Sequence, residues 1–290
     1  MTNPKRLQNT LLLVVTIIGC SVSNDTAASA SDVTPSSNRP GTAEPTNAVE
    51  AGVKRSALDA EVEEKYQRWK QNLSPEQRAW EAVLEANLGG YYLPLYKADK
   101  ARGIPTVWDF TADDPKLPRV LLIGDSISRG YTLSVRARLA GKANVHRAPE
   151  NCGQVANGLK KLDIWLGSRK WDVIHFNFGI HDRNTPLEDY AKRLEQFHQR
   201  LKSTGAKLVW ASTIPLPLQS SYGSNAAIVE RNEAASAIMG KNGTPIDDLY
   251  SYILPQISQY QKTNDVHFSE TGYDFLGAHV AQEIGRLLSH

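Results

Sequence analysis

From residue 118 onward, short apolar runs alternate with amphipathic stretches. Arg119-Val120-Leu121-Leu122-Ile123, Trp171-Asp172-Val173-Ile174-His175-Phe176-Asn177 and Lys207-Leu208-Val209-Trp210-Ala211-Ser212 read as buried strands. Ala143-Asn144-Val145-His146 is a weaker fourth. Helices are predicted near residues 155–166, 187–203, 225–240 and 270–288. Apolar strands that alternate with helices imply a parallel sheet covered on both faces, a three-layer α/β/α sandwich. No internal repeat is visible.

Upstream the pattern is helical. Ala57, Val62, Tyr66 and Trp69 recur at three- to five-residue spacing. Ser74-Pro75-Glu76-Gln77 then reads as a helix start, with Ser as N-cap, Pro in the first turn and Gln at the capping-box position. Trp80, Val83, Leu84 and Leu88 fall on one face of that helix, Gly89-Gly90 is expected to end it, and an aromatic cluster follows at residues 91–96. The expected role of this segment is a helical lid or brace on the main domain, with a substrate-contacting wall as the sharper alternative.

Residues 21–50 are rich in Ser, Thr, Ala, Asn and Pro and nearly devoid of large apolar side chains, so they are expected to remain a disordered tether. The first twenty residues read as an export signal. Lys5 and Arg6 precede an apolar stretch from Leu11 to Ile18, too short to span a bilayer comfortably, which ends in Ile17-Ile18-Gly19-Cys20. That ending resembles the bacterial lipobox, which makes Cys20 the expected lipidation site. The expected location is therefore exported, in the cell envelope, and attached to the membrane by lipid rather than by charge. The other cysteine, Cys152, is distant, and neither belongs to a CxxC pair. With 33 Lys plus Arg against 31 Asp plus Glu and no long basic run, no nucleic-acid partner is expected. The chain thus divides into a lipoprotein signal peptide (1–20), a tether (21–50), a helical extension (51–115) and a main domain (116–290).

Active sites of open parallel sheets lie where strands end and helices begin. Gly124-Asp125-Ser126-Ile127-Ser128 follows the first strand, Gly179-Ile180-His181-Asp182 follows the 171–177 strand, and Asp265-Val266-His267 precedes the last helix. A serine at a helix N-terminus has backbone N–H groups at hand, but its hydroxyl needs a base to attack at neutral pH. His267 can supply that base, and a nearby carboxylate can orient it. The G-x-S-x-G elbow of α/β-hydrolases is absent around Ser126. The spacing of His175, His181, Asp182 and His267 fits no zinc or calcium signature, so no metal is expected.

Taken in order, these motifs resemble the SGNH (GDSL-like) hydrolase superfamily over residues 118–288. Gly124-Asp125-Ser126 matches its first block, Gly153 in Asn151-Cys152-Gly153 its second, Gly179-Ile180-His181-Asp182 its third, and Asp265-Val266-His267-Phe268 its last. The resemblance implies a flavodoxin-like sheet, Ser126 as nucleophile and His267 as base, and an oxyanion hole from the Ser126 and Gly153 backbone N–H groups. Two positions depart from the family. His181 stands where the family has Asn, and its ring also can donate a hydrogen bond. The residue three before His267 is Asn264, so either Asp265 or Asn264 orients the imidazole. Asp265 is preferred, because a carboxylate stabilises the imidazolium that forms during attack.

The expected activity is cofactor-free hydrolysis of acyl esters, O-acetyl esters on carbohydrate above all. The same residues would serve an O-acetyltransferase. A non-catalytic glycan-binding lipoprotein on the same scaffold is the alternative from another class, against which the intact Ser126 and His267 weigh.

Overall fold

Strand β1 (Arg119–Ile123) is apolar at four consecutive positions because both of its faces are covered. Val120 and Leu122 project into one core and Leu121 and Ile123 into another. The computed structural model describes residues 46–217 and 223–289. The leader with Cys20, and the tether up to residue 45, lie outside the described residues. Helix α1 (Thr46–Gln71) begins inside the segment assigned to the tether.

Five strands form one parallel sheet in the order β2-β1-β3-β4-β5 among the described residues: β2 (Asn144–Arg147), β3 (Val173–Phe176), β4 (Lys207–Ala211) and β5 (Ile246–Asp247) join β1. This is the flavodoxin-like order. Helices α4 (Ser126–Arg138) and α10 (Glu270–Leu288) cover one face through Tyr131, Val135, Leu276, Val280 and Ile284. Helices α5 (Val155–Leu166), α6 (Leu187–Lys202) and α7 (Asn225–Asn242) cover the other through Leu162, Leu194, Phe197 and Met239. The predicted fold class is therefore present, and the four predicted strands and helices agree with it to within a few residues.

Strand β5 was not legible in the sequence. Two residues carry no periodicity; Trp210↔Ile246 and Ala211↔Asp247 pairing to β4 makes them a strand. Two short helices, α8 (Leu249–Ile253) and α9 (Ile257–Tyr260), were equally silent. Asp247 is wholly buried between His175, 2.9 Å away, and His279, 3.1 Å away. Burial works to raise its carboxyl, but the two imidazoles outweigh that and hold it below the usual carboxylate range.

In the extension, Ser74 and Gln77 complete a capping box on α2 (Pro75–Asn87). Gly89-Gly90 does not simply end the helical region. It opens α3 (Gly89–Ala101), so the aromatic cluster is helical, with Pro94 inside. Tyr66, Leu84, Leu88, Tyr96, Val107 and Trp108 make a separate small core. Buried Glu81 sits within it and accepts hydrogen bonds from the Tyr66 (2.8 Å) and Tyr96 (2.6 Å) hydroxyls.

The packing that matters most for function is α4 against α10, because Ser126 opens the first and His267 lies just before the second. A Cβ on Gly130 of α4 would sit 2.0 Å from the Tyr273 ring, so only glycine lets the helices approach this closely. Tyr273 in turn packs on Phe268, the neighbour of His267.

Candidate active site

Asp125 ends the β1 turn in extended geometry, and its side chain caps α4 by accepting the Ile127 N–H at 2.9 Å. That leaves Ser126 as the first residue of the helix, 8% exposed, at the carboxyl end of the sheet. The Ser126 Oγ lies 2.8 Å from His267 Nε2, and His267 Nδ1 lies 2.7 Å from Asp265 Oδ1. The three side chains thus form one continuous hydrogen-bonded line, the arrangement that lets a hydroxyl lose its proton while it attacks.

The unusual spacing of the last motif has a local cause. Asp265 Oδ1 also accepts the His267 backbone N–H at 3.2 Å, an Asx-type turn that folds the carboxylate back onto the ring two residues later. Asn264 has a φ of 55°, a left-handed conformation that asparagine tolerates, and this tightens the loop. The loop is closed by Lys262 N–H on the His267 carbonyl (2.9 Å) and by a bridge between Gln261 and Phe268. Asp265, rather than Asn264, touches the imidazole. Burial works to raise the Asp265 carboxyl, yet the bonds from the His267 ring and backbone hold it below the usual carboxylate range.

Gly153 has a φ of 66°, and a Cβ there would meet only Asn151 O at 3.9 Å; the backbone conformation, not space, demands glycine. The N–H groups of Ser126 and Gly153 have no acceptor among the described residues. His181 lies half-buried in the 3-10 turn Ile180–Asp182 after β3. Its ring makes no hydrogen bond to Ser126 or His267, and its carbonyl accepts Gln154 Nε2 at 3.2 Å. The position is fixed by its neighbour. Buried Asp182 accepts the Val155 N–H at 2.9 Å, capping α5, while Arg231 donates to the Asp182 carbonyl at 2.7 Å. Asp182 therefore ties the Gly153 loop to the His181 turn. Burial raises its carboxyl. The sequence offered Asp182 only as a motif letter, because capping across loops has no local signature.

The four residues weighed as a metal set have separate partners or places: His175 pairs with Asp247, Asp182 caps α5, His267 pairs with Asp265, and His181 stays in its turn. Cys152 is buried and free, its thiol pushed up to about 12 by burial.

The helical extension reaches the edge of this site. Tyr92 of α3 lies 5.4 Å from the guanidinium of Arg129, three residues after Ser126. Further along β1 and β2 the extension borders an open cleft of about 390 Å³ with Trp80, Phe110, Arg119, His146, Trp165 and Trp171 in its walls. Neither Ser126 nor His267 lines it. The loop from Pro215 to Asn225 contains residues 218–222, which lie outside the described residues.

Residues 122–275 match the family described as GDSL-like Lipase/Acylhydrolase family. Among solved structures, the chain is similar to a lipase/acylhydrolase from Enterococcus faecalis, at 24% identity and a TM-score of 0.52, covering 58% of this chain and 96% of that one. It is similar to an acetyl xylan esterase, at 14% identity and a TM-score of 0.52, covering 57% and 99%. A third is TesA, at 21% identity and a TM-score of 0.50, covering 58% and 99%. No curated protein matches the chain.

Proposed function

The chain belongs to the GDSL-like lipase/acylhydrolase family as an SGNH-type serine esterase, and on that premise we propose that it removes O-acetyl groups from carbohydrate through an acyl-enzyme on Ser126. The observation that carries the reading is the hydrogen-bonded line from Ser126 through His267 to Asp265. Ser126 Oγ attacks the ester carbonyl carbon while His267 Nε2 takes its proton. The carbonyl oxygen gains negative charge and accepts hydrogen bonds from the Ser126 and Gly153 N–H groups, with the His181 ring as third donor. Collapse expels the alcohol, which leaves with the proton from His267. Water then attacks the acyl carbon while His267 takes its proton, and as the bond to Oγ breaks His267 returns that proton to Ser126, releasing acetate and the free hydroxyl. Asp265 stabilises the imidazolium in both halves.

The sugar-ester reading is supported by the export signal and tether expected from the sequence, which would bring the domain to envelope or imported glycans, and one structural neighbour is named an acetyl xylan esterase. Acetate release from acetylated xylooligosaccharides, measured beside p-nitrophenyl acetate and p-nitrophenyl esters of long acyl chains, tests it. Turnover confined to the long-chain esters would overturn the carbohydrate reading. Transfer of the acetyl group to an added sugar, in place of acetate release, would identify the acetyltransferase instead.

Attachment through Cys20 is proposed on the Ile17-Ile18-Gly19-Cys20 stretch. The described residues contain no helix long and apolar enough to cross a membrane. Expressed from the full-length gene, the Cys20→Ser variant is expected to leave the membrane fraction and to lack the acyl mass of the wild-type N-terminus. An unmodified Cys20 in the mature wild-type protein, seen by mass spectrometry, sinks this reading.

A further inference from the structure

Arg147 ends β2 and is 2% exposed. Its guanidinium faces the turn that carries Ser126: Nη2 donates to the carbonyls of Gly124 and Asp125, each at 2.9 Å, and Nη1 donates to Ser128 Oγ at 2.5 Å. Among the described residues it has no carboxylate partner. A buried cation that lacks a counter-ion is costly, and folds ordinarily pair it. Its hydrogen bonds go only to neutral oxygens, and burial pulls the guanidinium below its ordinary range although the Asp125 carboxylate nearby works the other way.

The two carbonyls are not arbitrary. The Asp125 oxygen is the other end of the peptide unit whose N–H belongs to Ser126. It accepts Arg147, the Ser128 hydroxyl (3.0 Å) and the Arg129 N–H (3.0 Å) together. Withdrawing electron density from that oxygen makes the N–H at the opposite end a stronger donor, and the three bonds prevent the peptide from turning. The Gly124 oxygen accepts Arg147 and the Cys152 N–H (3.2 Å), and Cys152 leads directly into Gly153. The guanidinium therefore grips the Gly124–Ser128 turn directly, and the Cys152–Gly153 segment hangs from the same Gly124 oxygen.

We propose that Arg147 is a positioning residue for oxyanion stabilisation, which orients and polarises the Asp125–Ser126 peptide and so strengthens the Ser126 N–H as a donor to the substrate carbonyl oxygen. This rests on the assignment of Ser126 as nucleophile. A preorganised, polarised N–H interacts more strongly with the oxyanion of the transition state than with the neutral carbonyl of the bound ester, and so lowers the barrier without tightening substrate binding.

The test compares wild type, Arg147→Gln, Arg147→Lys and Ser126→Ala. Activity on p-nitrophenyl acetate is expressed per active site labelled by a fluorophosphonate, and affinity for phenylboronic acid, which forms a tetrahedral adduct on serine, is measured beside it. Arg147→Gln is expected to lose about 10- to 100-fold in kcat per labelled site, less than the loss of an oxyanion donor itself, with KM within about threefold of wild type. Boronate affinity should fall in parallel. Arg147→Lys keeps the charge but not the fork that reaches both carbonyls, and should fall between. A merely structural arginine would reduce the number of labelled sites while leaving kcat per site and boronate affinity at wild-type values, and that result overturns the proposal. So does a loss confined to KM. Where Arg147→Gln does not fold, Arg147→Lys decides by the same measures: a fall of at least about threefold in kcat per site supports the role, and no fall overturns it. Ester turnover retained by Ser126→Ala would instead remove the premise, whatever the arginine variants do.

Discussion

Ser126→Ala is expected to lower kcat/KM toward an acetyl ester by about 10⁴-fold or more while leaving the thermal unfolding transition nearly unchanged. The substitution removes the acyl acceptor itself, and the loss of a triad nucleophile costs on this order or beyond. A 10⁴-fold loss corresponds to about 5.5 kcal/mol of barrier. Stability should hold because the Ser126 Oγ bonds only to His267 at the site and caps nothing; Asp125 performs the capping of α4. The measurement is steady-state hydrolysis of p-nitrophenyl acetate with purified protein, accompanied by mass spectrometric mapping of a fluorophosphonate-labelled peptide in wild type. A variant that keeps more than about a tenth of wild-type activity, a loss of only about 1.4 kcal/mol, excludes Ser126 as nucleophile.

Asp265→Asn is expected to cost about a thousandfold or more in kcat, and Asn264→Ala about tenfold or less. The amide preserves shape but removes the charge that stabilises the imidazolium, and it can impose the wrong tautomer on His267, whose Nδ1 now donates to Oδ1 at 2.7 Å. Asn264 acts through its backbone. At a φ of 55° an alanine is strained by roughly 1–2 kcal/mol, whereas Asn264→Gly should retain both activity and stability. Rates and unfolding temperatures for all three variants check this ranking. An inactive Asn264→Gly beside an active Asp265→Asn would transfer the orienting role to Asn264.

The parts of this protein that rest on local pattern were legible in the chain. Continuous apolar runs such as Val120 to Ile123 declare strands buried on both faces, and the helices between them carry their own amphipathic periodicity. Ser126, His181 and His267 could be picked out because each sits at a strand end or before a helix, where the chemistry of an open parallel sheet collects, and Gly153 was marked by the family resemblance alone. Even Gly89-Gly90 was a correct punctuation mark; its error was one of meaning, since a glycine at positive φ joins two helices as readily as it ends one.

What pairing and packing decided was not written in any local window. Ile246–Asp247 is a strand because β4 offers it an edge. Asp265 and Asn264 were indistinguishable by spacing, and the left-handed turn at Asn264 chose the carboxylate. Asp182 caps a helix that begins 27 residues earlier in the chain, at Val155. Arg147 reads in sequence as an ordinary cation at the end of a weak strand, yet it is sealed against the carbonyls of Gly124 and Asp125, more than twenty residues away. In each case the deciding interaction spans distant positions or depends on a backbone torsion. Composition and periodicity report which residues are buried, whereas only the closed sheet and its packed helices determine which buried groups meet.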